Sequence, residues 1–527
     1  MRHDQEYLSI PHVIRVAAER HGDDLALVDG DLRWSFRDLE RHMIAAIKGA
    51  VALGVEPGDR VGLCAPNSAR WILAALAIQG AGGIVVPLNT RFKAAELSYI
   101  LRTCDASALF ASSFLDNDYA SQLHAHEPEL PALRKTVSIL GDKGGADLSW
   151  DEFIDGGDLV ATSVAHAHVD RLTPDDISDV VFTSGTTGHP KGVILTHGQS
   201  LRAYGWMAHE YTFAHTDTFL IIPPFFHCFG YKAGWLASLM HGVTIIPMAV
   251  FDARRALETI AAEHVSVMLG PPTIFQDLID HPDRADFDLS SLRVSMTGGT
   301  TIPQALIHAM KADLTFDIVM SAYGLTESTA LVTTTRVGDG AETVAATTGR
   351  AIPDVEVRIV DDDGADVARG TPGEILVRGY NVTRGYWNDP EATAEAIDAQ
   401  GWLATGDIGF LDDAGNLAIV DRKKEMFIVG GFNAYPAEIE KLLLAYPPIH
   451  DVAVVGVPDG RLGEVGCAFV VAAQGTEIRE SEVIAWAREN MANFKVPRHV
   501  LRVEELPRNA SRKVLKHELR AQFAPTR

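Results

Sequence analysis

Between residues 183 and 192 the chain reads TSGTTGHPKG, which places four hydroxyl side chains, three glycines and one lysine in ten positions. Valine-rich stretches, DVVFT at Asp179–Thr183 and GVILT at Gly192–Thr196, read as strands entering and leaving it. Gly185 and Gly188 tolerate φ > 0, so successive backbone N–H groups can converge on an anion. Thr183, Ser184, Thr186 and Thr187 add hydroxyl donors, and Lys191 adds a mobile positive charge. Donors of this kind and density suit a polyphosphate. The pattern is not a Walker loop, because Lys191 stands three residues beyond Gly188 and a strand follows. No GxGxxG fingerprint precedes a helix either. A plain Gly/Thr hairpin turn would account for a shorter match, but eight informative positions in ten argue against it.

Six further segments follow the loop: PPFFHCFG (Pro223–Gly230), MTGGTT (Met296–Thr301), SAYGLTES (Ser321–Ser328), GWLATGD (Gly401–Asp407), DRKKEMFIVGGFNAYPAEIE (Asp421–Glu440) and PRNASRKVLK (Pro507–Lys516). In this order they resemble the adenylate-forming superfamily of acyl-CoA synthetases, peptide-synthetase adenylation domains and beetle luciferases, over nearly the whole chain. The resemblance implies a two-step reaction. A carboxylate attacks the α-phosphate of ATP to give acyl-AMP and pyrophosphate, and a thiol then displaces AMP. Both steps pass through crowded negative charge, so positioning and charge neutralisation carry most of the catalysis.

Carried onto this sequence, the resemblance puts Thr183, Ser184, Gly185, Thr186, Thr187, Gly188 and Lys191 around the β- and γ-phosphates. Gly298, Gly299 and Thr300 become the adenine-side loop, with Ala322, Tyr323 and Gly324 continuing it. Tyr323 lies against the base and Thr326 reaches phosphate. Glu327 matches a Mg²⁺ ligand, a hard carboxylate oxygen sharing the shell with phosphate oxygens. Read without the resemblance, Tyr323 is a core residue, Glu327 a solvent-facing one and Lys191 a surface lysine. The Tyr-Gly-Leu-Thr-Glu turn after an apolar strand favours a crevice at strand carboxyl ends. Asp407 matches the acceptor of the ribose hydroxyls and Arg422 a ribose-contacting arginine.

The same resemblance makes Lys513 the cation that bridges carboxylate and α-phosphate oxygens during adenylation. Arg512 stands where relatives usually carry glycine, and Lys516 is the alternative lysine. Lys424 matches a hinge about which the small domain rotates, bringing Gly430 and Gly431 to line a pantetheine path. A solvated charge run is the other reading of Arg422–Lys424. Lys513, Thr183, Glu327 and His227 are then the residues at the reacting centre, with His227 assigned to access rather than proton transfer. As a lone histidine it could equally be packed or capping. Cys228 reads as a small buried hydrophobe rather than a nucleophile.

Acyl specificity is expected from Phe226–Trp235, Met268–Phe275, Gly298–Thr300 and Ala322–Leu325. Phe226, His227, Tyr231, Lys232 and Trp235 form the expected acyl and CoA pocket. Lys232 would either meet a second polar group of the acid or snorkel. The lining favours a hydrophobic acid over an amino acid. GYKAG, GPPTIFQDLIDHPDRADFDLSSLR and NFKVPR look most like actinobacterial acyl-CoA ligases of the fatty-acid type, in particular the steroid hydrindane-propionate ligase type. Two alternatives remain open: a stand-alone adenylation enzyme that loads a carrier protein, and a non-catalytic acyl- or nucleotide-binding relative.

The elements that must hold these residues alternate amphipathic helices, such as Arg37–Leu53 and Ala253–His264, with short strands such as Gly83–Pro87 and Val243–Pro247. Strands become denser from residue 350, where Asp-Gly and Ala-Gly turns separate them. After Asp421 a smaller pattern begins, with helices at Pro436–Leu444 and Glu480–Asn493 and strands at Asp451–Val457, Cys467–Ala472 and His499–Val503. The expected fold is α/β: a large N-terminal domain over 1–421, with two α/β layers and a small β-barrel at 350–421, and a mobile α+β lid over 422–527.

With 527 residues, 47% hydrophobic and 22% charged, the chain is long enough for more than one core. A formal charge of −24 repels nucleic acid and anionic lipid, so any anionic ligand must be held by placed dipoles and cations. The twenty uncharged residues Trp71–Thr90 could span a bilayer by length alone. Gln79, the glycines at 80, 82 and 83, and Pro87 instead divide them into a buried helix and a strand. No integral membrane association is expected. The four cysteines lack CxxC spacing and the first thirty residues lack a signal-peptide core, which points to the cytoplasm. Implied partners are a small carboxylic acid, ATP and CoA; a homodimer is left open.

Overall fold

The computed structural model describes residues 4–523 apart from 116, 127–129, 185–189, 299–301, 303, 362, 423–426, 435, 474 and 508–513. Two large sheets form the body. One has nine strands in which Ile318–Tyr323, Val294–Gly298, Val267–Gly270, Thr218–Ile221 and Thr244–Pro247 run parallel side by side. The other has eight, and its edge is the antiparallel pair Ile177–Ser184 and Pro190–Thr196. These two strands flank the TSGTTGHPKG loop, as the valine-rich stretches predict.

The uncharged stretch resolves into a helix, Ala69–Gly80, and a strand, Ile84–Pro87. Ser68 starts the helix by accepting the Trp71 N–H. The helix is buried on every side, including Trp71, Ile72, Leu73, Leu76 and Ile78, each contributing about 1.5–3 kcal/mol of apolar burial. No described helix is long and apolar enough to cross a membrane.

Parallel strands of the nine-stranded sheet end in register, with Gly270 beside Thr297 and Gly298 beside Ala322. The carboxyl ends of these strands, at Ile221, Gly270, Gly298 and Tyr323, lie at one end of the sheet, where a crevice is expected. After Cys228 the chain winds into a π-helix, Phe229–Leu236, a wide turn that often marks functional segments.

Where a small barrel is expected, strands Val355–Val360, Gly373–Gly379, Leu403–Leu411 and Leu417–Arg422 pair antiparallel in that order. Residues from Phe427 to Leu519 gather a hydrophobic core of their own around Val454, Phe469 and Val483. Within it a helix at Pro436–Leu443 and strands at Ile449–Asp459 and Gly463–Ala472 match the smaller pattern expected after Asp421.

Candidate active site

Cross-strand register sets Lys191 opposite Thr183 at the base of the loop. Ser184 ends its strand, while Gly185, Thr186, Thr187 and Gly188 lie outside the described residues. A segment absent from the sequence reading lies against the second of these strands. The N–H of Trp387 donates to Gly192 O at 2.7 Å, and that of Ile194 to Gly385 O at 3.1 Å. This places the Tyr386 ring 5.1 Å from Lys191 Nζ, within cation–π range. The Tyr386 hydroxyl donates to Glu327 Oε1 at 3.0 Å. Thr383 N–H also binds Glu327 O at 2.7 Å, so this segment fixes both ends of the glutamate.

Glu327 sits in a single 3₁₀ turn, Thr326–Ser328, after the strand that carries Ala322 and Tyr323. Its chain path requires glycine at 324, where a Cβ would lie 2.3 Å from the Ala330 carbonyl carbon. From Ala322 to Glu327 the residues are half-buried, so the turn presents an edge rather than a sealed core. The Tyr323 hydroxyl donates to Asp407 Oδ2 at 2.6 Å. Asp407 is buried in strand Leu403–Leu411 and pairs in register with Arg422. Gly298 abuts Ala322, whereas Gly299 and Thr300 lie outside the described residues.

Where the acyl pocket is expected, Phe226 and His227 have ring centroids 4.9 Å apart. His227 keeps an accessible ring although protein surrounds it, so it lines a cleft. Desolvation first, and then the charge of Arg91, lower its pKa, leaving it neutral at pH 7. The turn Gly430–Gly431, with φ of 54° and 85°, reaches across from the small core. A Cβ at Gly431 would come within 3.3 Å of Pro271, and Phe432 lies 6.1 Å from the His227 ring. The Gly430–Gly431 turn therefore lies beside Pro271, with Phe432 next to His227.

Three expected pocket residues are placed differently. Tyr231 and Trp235 stack at 4.8 Å inside the main core, with Gln79 donating to the Tyr231 hydroxyl at 2.6 Å. Lys232 is fully buried, with Nζ 2.9 Å from Asp179 Oδ2 and 2.7 Å from Ser200 Oγ. It neither meets the acid nor snorkels; the π-helix turns it inward to Asp179. Cys228 is buried as expected, which pushes its thiol up to about 11. Lys424 and Lys513 lie outside the described residues. The alternative lysine, Lys516, is ion-paired with Glu440 at 2.7 Å.

Tyr386 was missed because its role depends on a strand almost two hundred residues earlier; the tyrosine beside a glycine in RGYWNDPEAT is the available signal. Residues 14–387 match the profile of the AMP-binding enzymes, and residues 438–513 that of their C-terminal domain. A 3-[(3aS,4S,7aS)-7a-methyl-1,5-dioxo-octahydro-1H-inden-4-yl]propanoyl:CoA ligase of Mycobacterium tuberculosis (strain ATCC 25618 / H37Rv) is 49% identical over 97% of this chain and 98% of its own. A ligase of the same description from Rhodococcus jostii (strain RHA1) is 46% identical over 97% and 98%. Among solved structures, the amide bond synthetase of Marinactinospora thermotolerans superposes with a TM-score of 0.83 at 27% identity, covering 97% of this chain and 99% of that one.

Proposed function

As a member of the AMP-binding enzyme family, this chain is an ATP-dependent acyl-CoA ligase, and we propose that its acid is a bicyclic propionate of the hydrindane class. Such a ligase joins a carboxylic acid to CoA through an acyl-adenylate, releasing AMP and pyrophosphate. What carries the reading is the line of contacts from Lys191 through Tyr386 to Glu327, in the turn just after Tyr323, which itself bonds Asp407. The hydrindane assignment draws on the near-half identity, along the whole chain, to two ligases named for that acid.

In this reading Thr183 and Lys191, with the loop between them, hold the terminal phosphates. Tyr323 covers adenine, and Asp407 with Arg422 receives the ribose. Thr326 reaches phosphate. Mg²⁺ would be held by Glu327, a half-buried hard oxygen donor with one oxygen already oriented by Tyr386, and would neutralise phosphate charge there. Lys513 supplies the cation that spreads charge between attacking and leaving oxygens. The body ends at Asp421, and the lid turns about Lys424 to exchange Lys513 for the Gly430–Gly431 turn. Neutral His227 then guards the acyl mouth beside Phe226 and the thiol path. The buried, unpaired cysteines fit a reducing cytoplasm.

The test is acid-dependent ATP–pyrophosphate exchange and AMP release, with and without CoA, over a panel of hydrindane propionates, medium-chain fatty acids and aryl acids. Turnover is expected to be fastest with the bicyclic propionates; far faster turnover of fatty or aryl acids would sink the assignment. A second reading, delivery of the adenylate to another nucleophile, is favoured by the likeness to an amide bond synthetase. Acyl-AMP that accumulates without thioester when CoA is added would support it.

A further inference from the structure

Lys495 is 1% exposed, and a buried ammonium requires partners. It has two: Nζ lies 2.6 Å from Glu438 Oε1 and 2.5 Å from Glu96 Oε1. Phe92, 4.7 Å from the ammonium, closes the site. Glu438 and Lys495 both belong to the small core, on helix Pro436–Leu443 and just after Phe494. Together they already form a neutral pair. Glu96 comes from the body, in the first turn of helix Ala94–Thr103, and adds a second carboxylate to a matched cation.

Glu96 is held in place at its other oxygen, since Oε2 accepts the Lys93 N–H at 2.9 Å. The lid's internal charge balance does not need this carboxylate, so its energetic effect falls on docking. In the docked orientation the Arg91 guanidinium covers Phe432 at 4.2 Å and Phe432 faces His227. The Gly430–Gly431 turn is thus the lid face presented to the acyl side. When the lid leaves, Lys495 keeps Glu438 while Glu96 returns to water, so the contact is reversible within a turnover.

We infer that Glu96 is a positioning residue for the second half-reaction: through Lys495 it holds the lid with the Gly430–Gly431 turn at the acyl site and so favours thioester formation over adenylation. The inference rests on the two-step ligase reading above.

Two variants of the full chain test it. Glu96→Gln keeps the acceptor for Lys93 and removes the charge, while Glu96→Lys sets like charges against each other. Exchange of ATP with pyrophosphate and thioester formation from supplied acyl-AMP and CoA are measured separately. In Glu96→Lys, thioester kcat is expected to fall about tenfold, equivalent to ~1.4 kcal/mol, with exchange within about twofold of the parent and KM for acyl-AMP unchanged. Glu96→Gln is expected to lower the ratio of thioester to exchange activity by about threefold, and it decides alone if the lysine variant does not fold. Equal losses in both halves, or no loss in either, overturn the inference. Amide hydrogen exchange over Ala94–Thr103 and around Val496 reads the docked contact without substrate. Protection there should drop in both variants, and unchanged protection also overturns it. Failure of the parent to form AMP with any acid sinks the ligase reading instead, while hydrogen exchange still judges the latch.

Discussion

Tyr323 and Asp407, 84 residues apart in sequence, are joined by a 2.6 Å hydrogen bond from the phenol to Oδ2. The bond ties the end of a parallel strand in the body to the antiparallel sheet that follows it. A neutral donor to a carboxylate is worth about 1.5–3 kcal/mol. It fixes the Asp407 carboxylate and leaves Tyr323 half-buried.

Tyr323→Phe keeps that ring and removes the tether. The apparent KM for ATP is expected to rise about tenfold, as loss of one charge-assisted bond implies, with kcat at saturating ATP little changed. Steady-state kinetics checks it. A fall in kcat at unchanged KM would mean that the hydroxyl acts on the reacting centre and not on nucleotide placement.

Tyr386 serves two neighbours through two different parts of its side chain, and two substitutions separate them. Tyr386→Phe leaves the ring beside Lys191 and removes the hydroxyl bond to Glu327 Oε1; pyrophosphate exchange should drop about tenfold and the half-saturating Mg²⁺ concentration should rise. Tyr386→Ala also removes the cation–π contact, worth about 0.5–1 kcal/mol, and should raise the KM for ATP a further two- to fivefold or so. Equal Mg²⁺ dependence in all three proteins would show that the tyrosine does not orient the glutamate.

Lys232→Met strips the cation from a fully buried carboxylate. Breaking such a pair costs about 3–5 kcal/mol, so thermal stability should fall by several degrees, and Lys232→Met/Asp179→Asn should recover part of it. The ranking of acids in the substrate panel should stay the same. A changed ranking with unchanged stability would return Lys232 to the acyl pocket.

Lys232 also marks where reading the sequence stops. Local features were legible: the strands around TSGTTGHPKG, the helix and strand hidden in Trp71–Thr90, and the turn at Tyr323–Glu327 after an apolar strand. Each depends on neighbours in the chain. Whether Lys232 faces the cleft or the core depends on the winding of Phe229–Leu236, and an α-helical spacing argument does not anticipate a π-helix. Tyr386 reaches Glu327 over 59 residues, and Lys495 reaches Glu96 over 399. Such meetings are set by how the sheets and the small C-terminal domain pack, and no periodicity or motif spacing within either segment encodes them.

His197 gives the protein an acid limit. Desolvation is the main cause that lowers its pKa from 6.5 to about 4, and its Nδ1 accepts the Ile10 N–H at 3.2 Å, which requires an unprotonated ring nitrogen. Above pH 6.5 both folded and unfolded states hold it neutral. As pH falls from 6.5 to 4 the unfolded chain takes up the proton first, so folding loses ~3 kcal/mol from this group. His197→Gln should unfold in denaturant with a shallower loss of stability over that range. An unchanged pH slope would place the titration elsewhere.

Two lysines close the chain's candidate chemistry, and their surroundings predict different fates. Lys516 is committed to Glu440 at 2.7 Å and is mostly buried, so Lys516→Ala should lower stability more than either half-reaction. Lys513 follows Arg512 and lies outside the described residues. If it supplies the cation of the first step, Lys513→Ala should reduce ATP–pyrophosphate exchange by about 10²–10³, the usual loss for one preorganised transition-state donor. Thioester formation from supplied acyl-AMP should then persist, as the proposal that a different face of the small domain serves that step requires. The reverse pattern, with Lys516→Ala silencing exchange and Lys513→Ala tolerated, would move the cation three residues along the chain and require the Glu440 pair to break in every turnover.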